Sequence, residues 1–222
     1  MKVILGGATG FVGQEVLGQL TQHAAVTSIV AFSRRPLPLP LSPKVNNVII
    51  DDYLSYGPAA LKAAEGAEAC IWALGQNPTS DAALAKKVSL DFTMTAARTF
   101  TPAAASPSGK KFRFIYVSGG LAERDQTKSL WVMQSYRRIR GQVETELLVH
   151  AKTNAGVFEV VILRPGIILA KHTNIRDIFR GLVAPSVTVD AVGKVLVDTA
   201  LNGHGDEPVL ENSAIIAEGS KL

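Results

Sequence analysis

Residues 7–13 read Gly7-Ala8-Thr9-Gly10-Phe11-Val12-Gly13, a G-x-x-G-x-x-G pattern placed directly after the apolar run Val3-Ile4-Leu5. Glycines at this spacing let backbone approach a pyrophosphate. The first N–H groups of the following helix then point at the anion, and the helix dipole favours its charge. Gly13 has a separate task, allowing the helix to pack close to the sheet. A strand before and a helix after are the context that a dinucleotide fingerprint requires. Gly7, Thr9, Gly10, Phe11, Val12 and Gly13 are therefore expected to bind the diphosphate; the alternative is a plain tight strand-to-helix turn.

The end of the second apolar run tests which dinucleotide. An acid there would accept hydrogen bonds from the adenosine ribose and repel a 2′-phosphate. This chain has Ser33-Arg34-Arg35 instead. A hydroxyl and two guanidiniums suit a phosphate monoester, through charge and a planar fork of donors. NADP(H) is the expected cofactor, with Arg34 nearer the strand end than Arg35. Two solvated arginines opening a surface loop are the bland alternative.

A tyrosine can serve as a proton donor when a nearby cation lowers its pKa from near 10. Tyr136, Arg140, Val143 and Leu147 fall on one helical stripe, so Tyr136 and Arg140 are expected to face the sheet together. Other chemistries lack their signatures. One cysteine and the histidines His23, His150, His172 and His204 show no metal-ligand spacing. No nucleophile elbow and no lysine-bearing phosphate loop occurs.

The elements that must position these residues alternate. Strands are predicted at 2–6, 26–32, 47–50, 68–74, 112–118 and 158–164, with VLENSAII near the end a possible last one. Helices are predicted at 11–23, 57–65, 81–100, about 129–151 and about 190–202, the third of them ended by Thr101-Pro102. The prolines of residues 34–43 forbid helix and favour an extended loop. Val- and Ile-rich strands that are apolar on both faces and separated by helices indicate a covered parallel sheet. The expected fold is α/β: a single doubly wound, Rossmann-like domain over 1–222, with a parallel six- to seven-stranded sheet and helices on both faces.

Composition bounds the rest. The chain has 222 residues, 47% of them hydrophobic and 19% charged, and a net charge of +4. Its isoelectric point lies near 9.2, yet the basic residues are scattered, which argues for small anionic ligands rather than nucleic acid. A lone Cys70 in an apolar run makes no internal disulfide and points to a reducing compartment. No apolar run reaches the ~18 residues of a membrane span. With the first strand starting at once, a cytoplasmic location is expected.

The GGATGFVG stretch and the order of motifs behind it resemble the atypical short-chain dehydrogenase/reductases, the NAD(P)-binding group that includes NmrA-like and Tat-interacting-protein (Fmp-type) proteins. The resemblance covers most of the chain. It implies that Ser118 after the fifth strand orients substrate, and that Tyr136 is the proton donor. It also implies that Asp51 or Asp52 meets the adenine amino group, a turn or N-cap acid being the alternative. Ala73, Leu74 and Gly75 would pass the cofactor ribose, and Arg164-Pro165-Gly166, with Pro165 central, would touch the nicotinamide carboxamide. The family's lysine, four residues after the tyrosine, is Arg140 here. Arginine keeps the charge but releases no proton at working pH and has a bulkier head. Proton relay through this side chain is expected to fail.

Substrate is expected among residues 119–135 and 166–189, where Trp131, Met133, Ile167, Ile168, Leu169, Phe179 and Leu182 offer an apolar lining, or equally core or a dimer face. His172, near that region, reads as a surface residue before it reads as an acid or base. Three activities follow. The first is NADP-dependent reduction of a small apolar carbonyl or enone. The second is an NADP(H)-sensing binding protein without turnover, as the NmrA-like resemblance implies. The third is a non-redox isomerase or cyclase on the same scaffold. A monomer or a homodimer fits each.

Overall fold

The computed structural model describes residues 1–76, 79, 81–103, 109–171, 185–205 and 207–222. Seven strands form one sheet: β1 (Lys2–Gly6), β2 (Ser28–Ser33), β3 (Val45–Ile49), β4 (Ala69–Trp72), β5 (Phe112–Val117), β6 (Phe158–Arg164) and, from the C-terminal region, β9 (Val209–Glu211). Their order is β3-β2-β1-β4-β5-β6-β9, and every neighbouring pair is parallel. The order runs outward from β1 in both directions, so a crevice opens beside the C-terminal end of β1, where nucleotides bind in this topology. Two three-residue strands, β7 (Ile167–Leu169) and β8 (Ser186–Thr188), make a separate parallel pair.

Side-chain alternation divides the core. Along β1, Val3 and Leu5 join one apolar cluster and Ile4 the other. The first cluster is closed by α1 (Phe11–Gln22), α6 (Val189–Asn202) and α7 (Asn212–Gly219) through Val16, Leu20, Val192, Leu196 and Ile215. The second is closed by α2 (Pro58–Ala64), α4 (Phe92–Ala103) and α5 (Gln134–Thr153), with Ala60, Phe100, Val143 and Leu147 inside. Helices thus cover both faces, and no helix among the described residues is long and apolar enough to cross a membrane.

Three elements depart from the sequence expectation. The helix foreseen over 81–100 is α3 (Ala82–Lys86), a π turn (Lys87–Asp91) and then α4, which runs through Pro102. Beside the π turn, the Thr93 hydroxyl donates to the Ser89 carbonyl at 2.6 Å and accepts from the Trp72 indole at 2.9 Å. Pro102, in the last turn of α4, has no N–H to donate back to the Arg98 carbonyl, and the helix ends one residue beyond it. The helix foreseen from about 129 starts at Gln134, because Met133 before it is left-handed (φ 53°). VLENSAII splits into β9 and α7, so its second half is helical. The β7–β8 pair, too short to carry a periodic signal, was not foreseen.

Candidate active site

The turn between β1 and α1 is built from backbone. Gly7 adopts φ +84°, and a Cβ there would stand 2.7 Å from the Ala73 carbonyl carbon and the Leu74 nitrogen. A Cβ on Gly13 would overlap the Gly7 carbonyl oxygen. The Gly10 N–H donates to that same oxygen at 2.9 Å and closes the turn. Helix α1 has no side-chain cap and no acidic residue in its first turn. Its leading N–H groups are left for an outside acceptor, with Thr9, Gly10 and Phe11 exposed around them. A bare, positively polarised helix end in a cradle that side chains would fill fits a diphosphate.

Arg34 and Arg35 stand exposed just beyond β2. Ser33 is 2% exposed. Its hydroxyl donates to the Arg35 carbonyl at 2.7 Å and accepts from the Asn47 amide at 2.8 Å. It therefore shapes the turn that presents the two arginines. Asp51 and Asp52 are both exposed, and the Asp52 carboxylate accepts from the Leu54 N–H at 3.0 Å, as a turn acid does.

A cavity of about 1130 Å³ runs along the C-terminal ends of the strands. Its walls bring together Gly10, Phe11 and Val12 from the turn, Ala73 and Gly75 after β4, Ser118, Tyr136, Arg140 and Pro165. Leu121, Met133, Ile167, Ile168 and Ile216 supply apolar lining. Gly7, Thr9, Gly13, Ser33, Arg34, Arg35, Asp51, Asp52 and Leu74 are outside this lining. Trp131, 99% exposed, lies outside it too, and Leu169 is buried on the β7–β8 pair. His172, Phe179 and Leu182 lie outside the described residues.

Helix α5 presents Tyr136 and Arg140 to the sheet, as the stripe predicted. Arg140 is only 8% exposed. Its Nη1 donates to the Val117 carbonyl at 2.9 Å and to the Tyr116 hydroxyl at 3.1 Å, and its guanidinium lies 5.3 Å from the Tyr136 ring centroid. Its Nη2 is the atom that leaves no room for a Cβ on Gly75, at 2.7 Å. The Nε of Arg140 is buried and finds no hydrogen-bond partner among the described residues. The Tyr136 hydroxyl reaches toward Gly119, where a Cβ would stand 3.3 Å from it. Burial pushes the Tyr116 hydroxyl up, against the opposing pull of Arg140, which keeps Tyr116 a neutral partner.

Ser118 is drawn into the protein. Its Oγ donates to Glu144 Oε1 at 2.6 Å. Glu144 is 0% exposed and also accepts from Arg124 Nε at 2.7 Å, from Arg164 Nε at 2.9 Å and from a second Arg164 N–H. Arg164 pairs in turn with Glu211 at 2.9 Å. Hydrogen bonding to Glu144 holds the Arg164 guanidinium above its usual range. Sequence reasoning missed Glu144, Arg124 and Tyr116. One signal was there: Glu144 lies four residues after Arg140, so it shares a face with residues expected to be buried.

Residues 7–202 match the family described as NAD(P)H-binding, and the chain belongs to that family. This agrees with the resemblance to atypical short-chain dehydrogenase/reductases. Leucinostatins biosynthesis cluster protein T of Purpureocillium lilacinum is 32% identical over 122 residues, which is 53% of this chain and 42% of that protein. The match thus spans less than half of that relative. Among solved structures, MoeE5 in complex with UDP-glucuronic acid and NAD superposes with a TM-score of 0.72 at 16% identity, covering 95% of this chain and 76% of that one. A short-chain dehydrogenase from Burkholderia cenocepacia J2315 in complex with NADP gives a TM-score of 0.68 at 18% identity, covering 99% and 91%. At these identities the likeness is one of fold.

Proposed function

We propose that the protein is an NADP(H)-dependent oxidoreductase that reduces a small apolar carbonyl or enone, working as one unit with its substrate region at 119–135 and 166–189. The observation that carries this reading is the continuous cavity from the N-terminus of α1 to Tyr136 and Arg140. Gly7, Thr9, Gly10, Phe11, Val12 and Gly13 would hold the diphosphate, and Arg34 with Arg35 the 2′-phosphate. Asp51 or Asp52 would take the adenine, while Ala73, Leu74, Gly75 and Pro165 would flank the ribose and nicotinamide. The bound nicotinamide supplies the hydride. Tyr136 gives the matching proton to the substrate oxygen. Arg140 fixes the Tyr136 ring and supplies a permanent positive charge beneath it. Because that charge cannot itself pass on a proton, Tyr136 regains its own from solvent entering the cavity. Leu121, Met133 and Ile167 would offer apolar surface to the substrate beside the reacting centre.

Calorimetric titration with NADPH, NADP, NADH and NAD tests the cofactor, with NADPH expected to bind most tightly. A carbonyl panel followed by NADPH absorbance tests turnover. Tight NADPH binding with no absorbance loss across the panel would favour the second reading, an NADP(H)-sensing protein without turnover. Arg140 held on the Val117 carbonyl, in place of a lysine, is the observation on that side. A partner captured only with NADPH present would establish it.

A further inference from the structure

The Ser118–Glu144 contact determines which way a hydrogen bond can run in the cavity. Glu144 faces two guanidiniums, Arg124 and Arg164, in a position with no solvent exposure. An ionised carboxylate only accepts, so the proton in the 2.6 Å Ser118–Glu144 bond belongs to the serine. A hydroxyl has one proton to give. With that proton turned into the protein, Ser118 offers only lone pairs to the cavity it lines. The clamp joins four elements: the segment after β5, helix α5, the end of β6, and β9 through Glu211.

We propose that Glu144 is a positioning residue that makes Ser118 an obligate acceptor, so that the group seated against Ser118 is an O–H or N–H donor. This rests on the oxidoreductase reading of the same cavity and deepens it. A bare carbonyl oxygen against Ser118 would set lone pairs against lone pairs. The carbonyl oxygen therefore belongs to Tyr136 alone, and Ser118 reads a neighbouring donor. Two sources carry that chemistry: a hydroxyl or amide N–H beside the carbonyl of the substrate, or the carboxamide of the nicotinamide.

Two pairs of probes, titrated calorimetrically into the full chain, distinguish these sources. 2-Hydroxyacetophenone and 2-methoxyacetophenone, added to the NADP-loaded protein, test the substrate hydroxyl. NADP and its 3-acetylpyridine analogue, which lacks the amide N–H, test the cofactor. The donor-bearing member of at least one pair is expected to bind about tenfold more tightly. Ser118→Ala is expected to bring that ratio close to one. Glu144→Gln, whose amide can donate to Ser118 and release the serine proton, is expected to narrow or reverse it. A selectivity ratio is not moved by general loosening of the fold, and Ser118→Ala carries the test if Glu144→Gln does not fold. Ratios near one for both pairs in the wild type, or a ratio that survives Ser118→Ala, would overturn the proposal while leaving NADP binding intact. Absence of affinity for any nucleotide would bring down the oxidoreductase reading as well.

Discussion

The two ends of the cavity are made of different material. At the α1 end the site is backbone: Gly7, Gly10 and Gly13 clear space, and peptide N–H groups make the contacts on offer. At the Tyr136 end the site is side chain: Arg140 on Val117 and Tyr116, and Glu144 gathering Ser118, Arg124 and Arg164. The first end depends on what is missing from the side chains, the second on what they reach. A phosphate-binding turn can be shared across many activities because nothing in it refers to the reacting group. The second end, where charge and hydrogen-bond direction are set, is where this chain's own chemistry is decided.

That difference can be attacked from either side. The largest effect is expected at the side-chain end. If the proposed reduction holds, Tyr136→Phe should lower kcat about 10²–10⁴-fold on any carbonyl the wild type turns over, with NADPH affinity close to that of the wild type by calorimetry. A matching loss of affinity would mean that the two ends are not separable. Glu144→Ala leaves Arg124 and Arg164 facing an empty buried site, and about 3–5 kcal/mol of stability should be lost in urea unfolding. Gly13→Ala forces a methyl against the Gly7 carbonyl. It should cost about 1–3 kcal/mol in the same assay and weaken every pyridine nucleotide alike. Arg34→Glu should have the smallest effect on the protein itself, leaving unfolding unchanged. It should weaken NADPH about tenfold more than NADH. Equal losses for the two nucleotides would show that Arg34 does not read the 2′-phosphate.

The same contrast explains what could be read before any coordinates. The α1 end was legible because glycine is punctuation: where backbone must pass close, Gly7 and Gly13 say so in the residue type itself. The parallel sheet was legible from Val- and Ile-rich runs such as those of β1 and β6. Tyr136 and Arg140 could be paired because four residues make about one helical turn. Glu144 was passed over although it obeys the same periodicity, because its partners come from other elements. Arg124 and Arg164 lie 20 residues to either side of it in the chain. Ser118 was found by resemblance, but the direction of its hydrogen bond depends on Glu144 and was out of reach. The Trp72–Thr93 bond is a further case: Thr93 looks like an ordinary helix residue until the Trp72 indole is placed beside it.

The guanidinium wedged against Gly75 also constrains how this site can change over generations. Any side chain at 75 would collide with a charged head that is itself held on Val117 and Tyr116. A shorter head at 140 would strand the Val117 carbonyl, yet it would open the space that a larger residue at 75 needs. Position 75 is therefore not free to drift by itself. Among descendants of this sequence, anything bulkier than glycine at 75 should arrive only with a shorter side chain at 140.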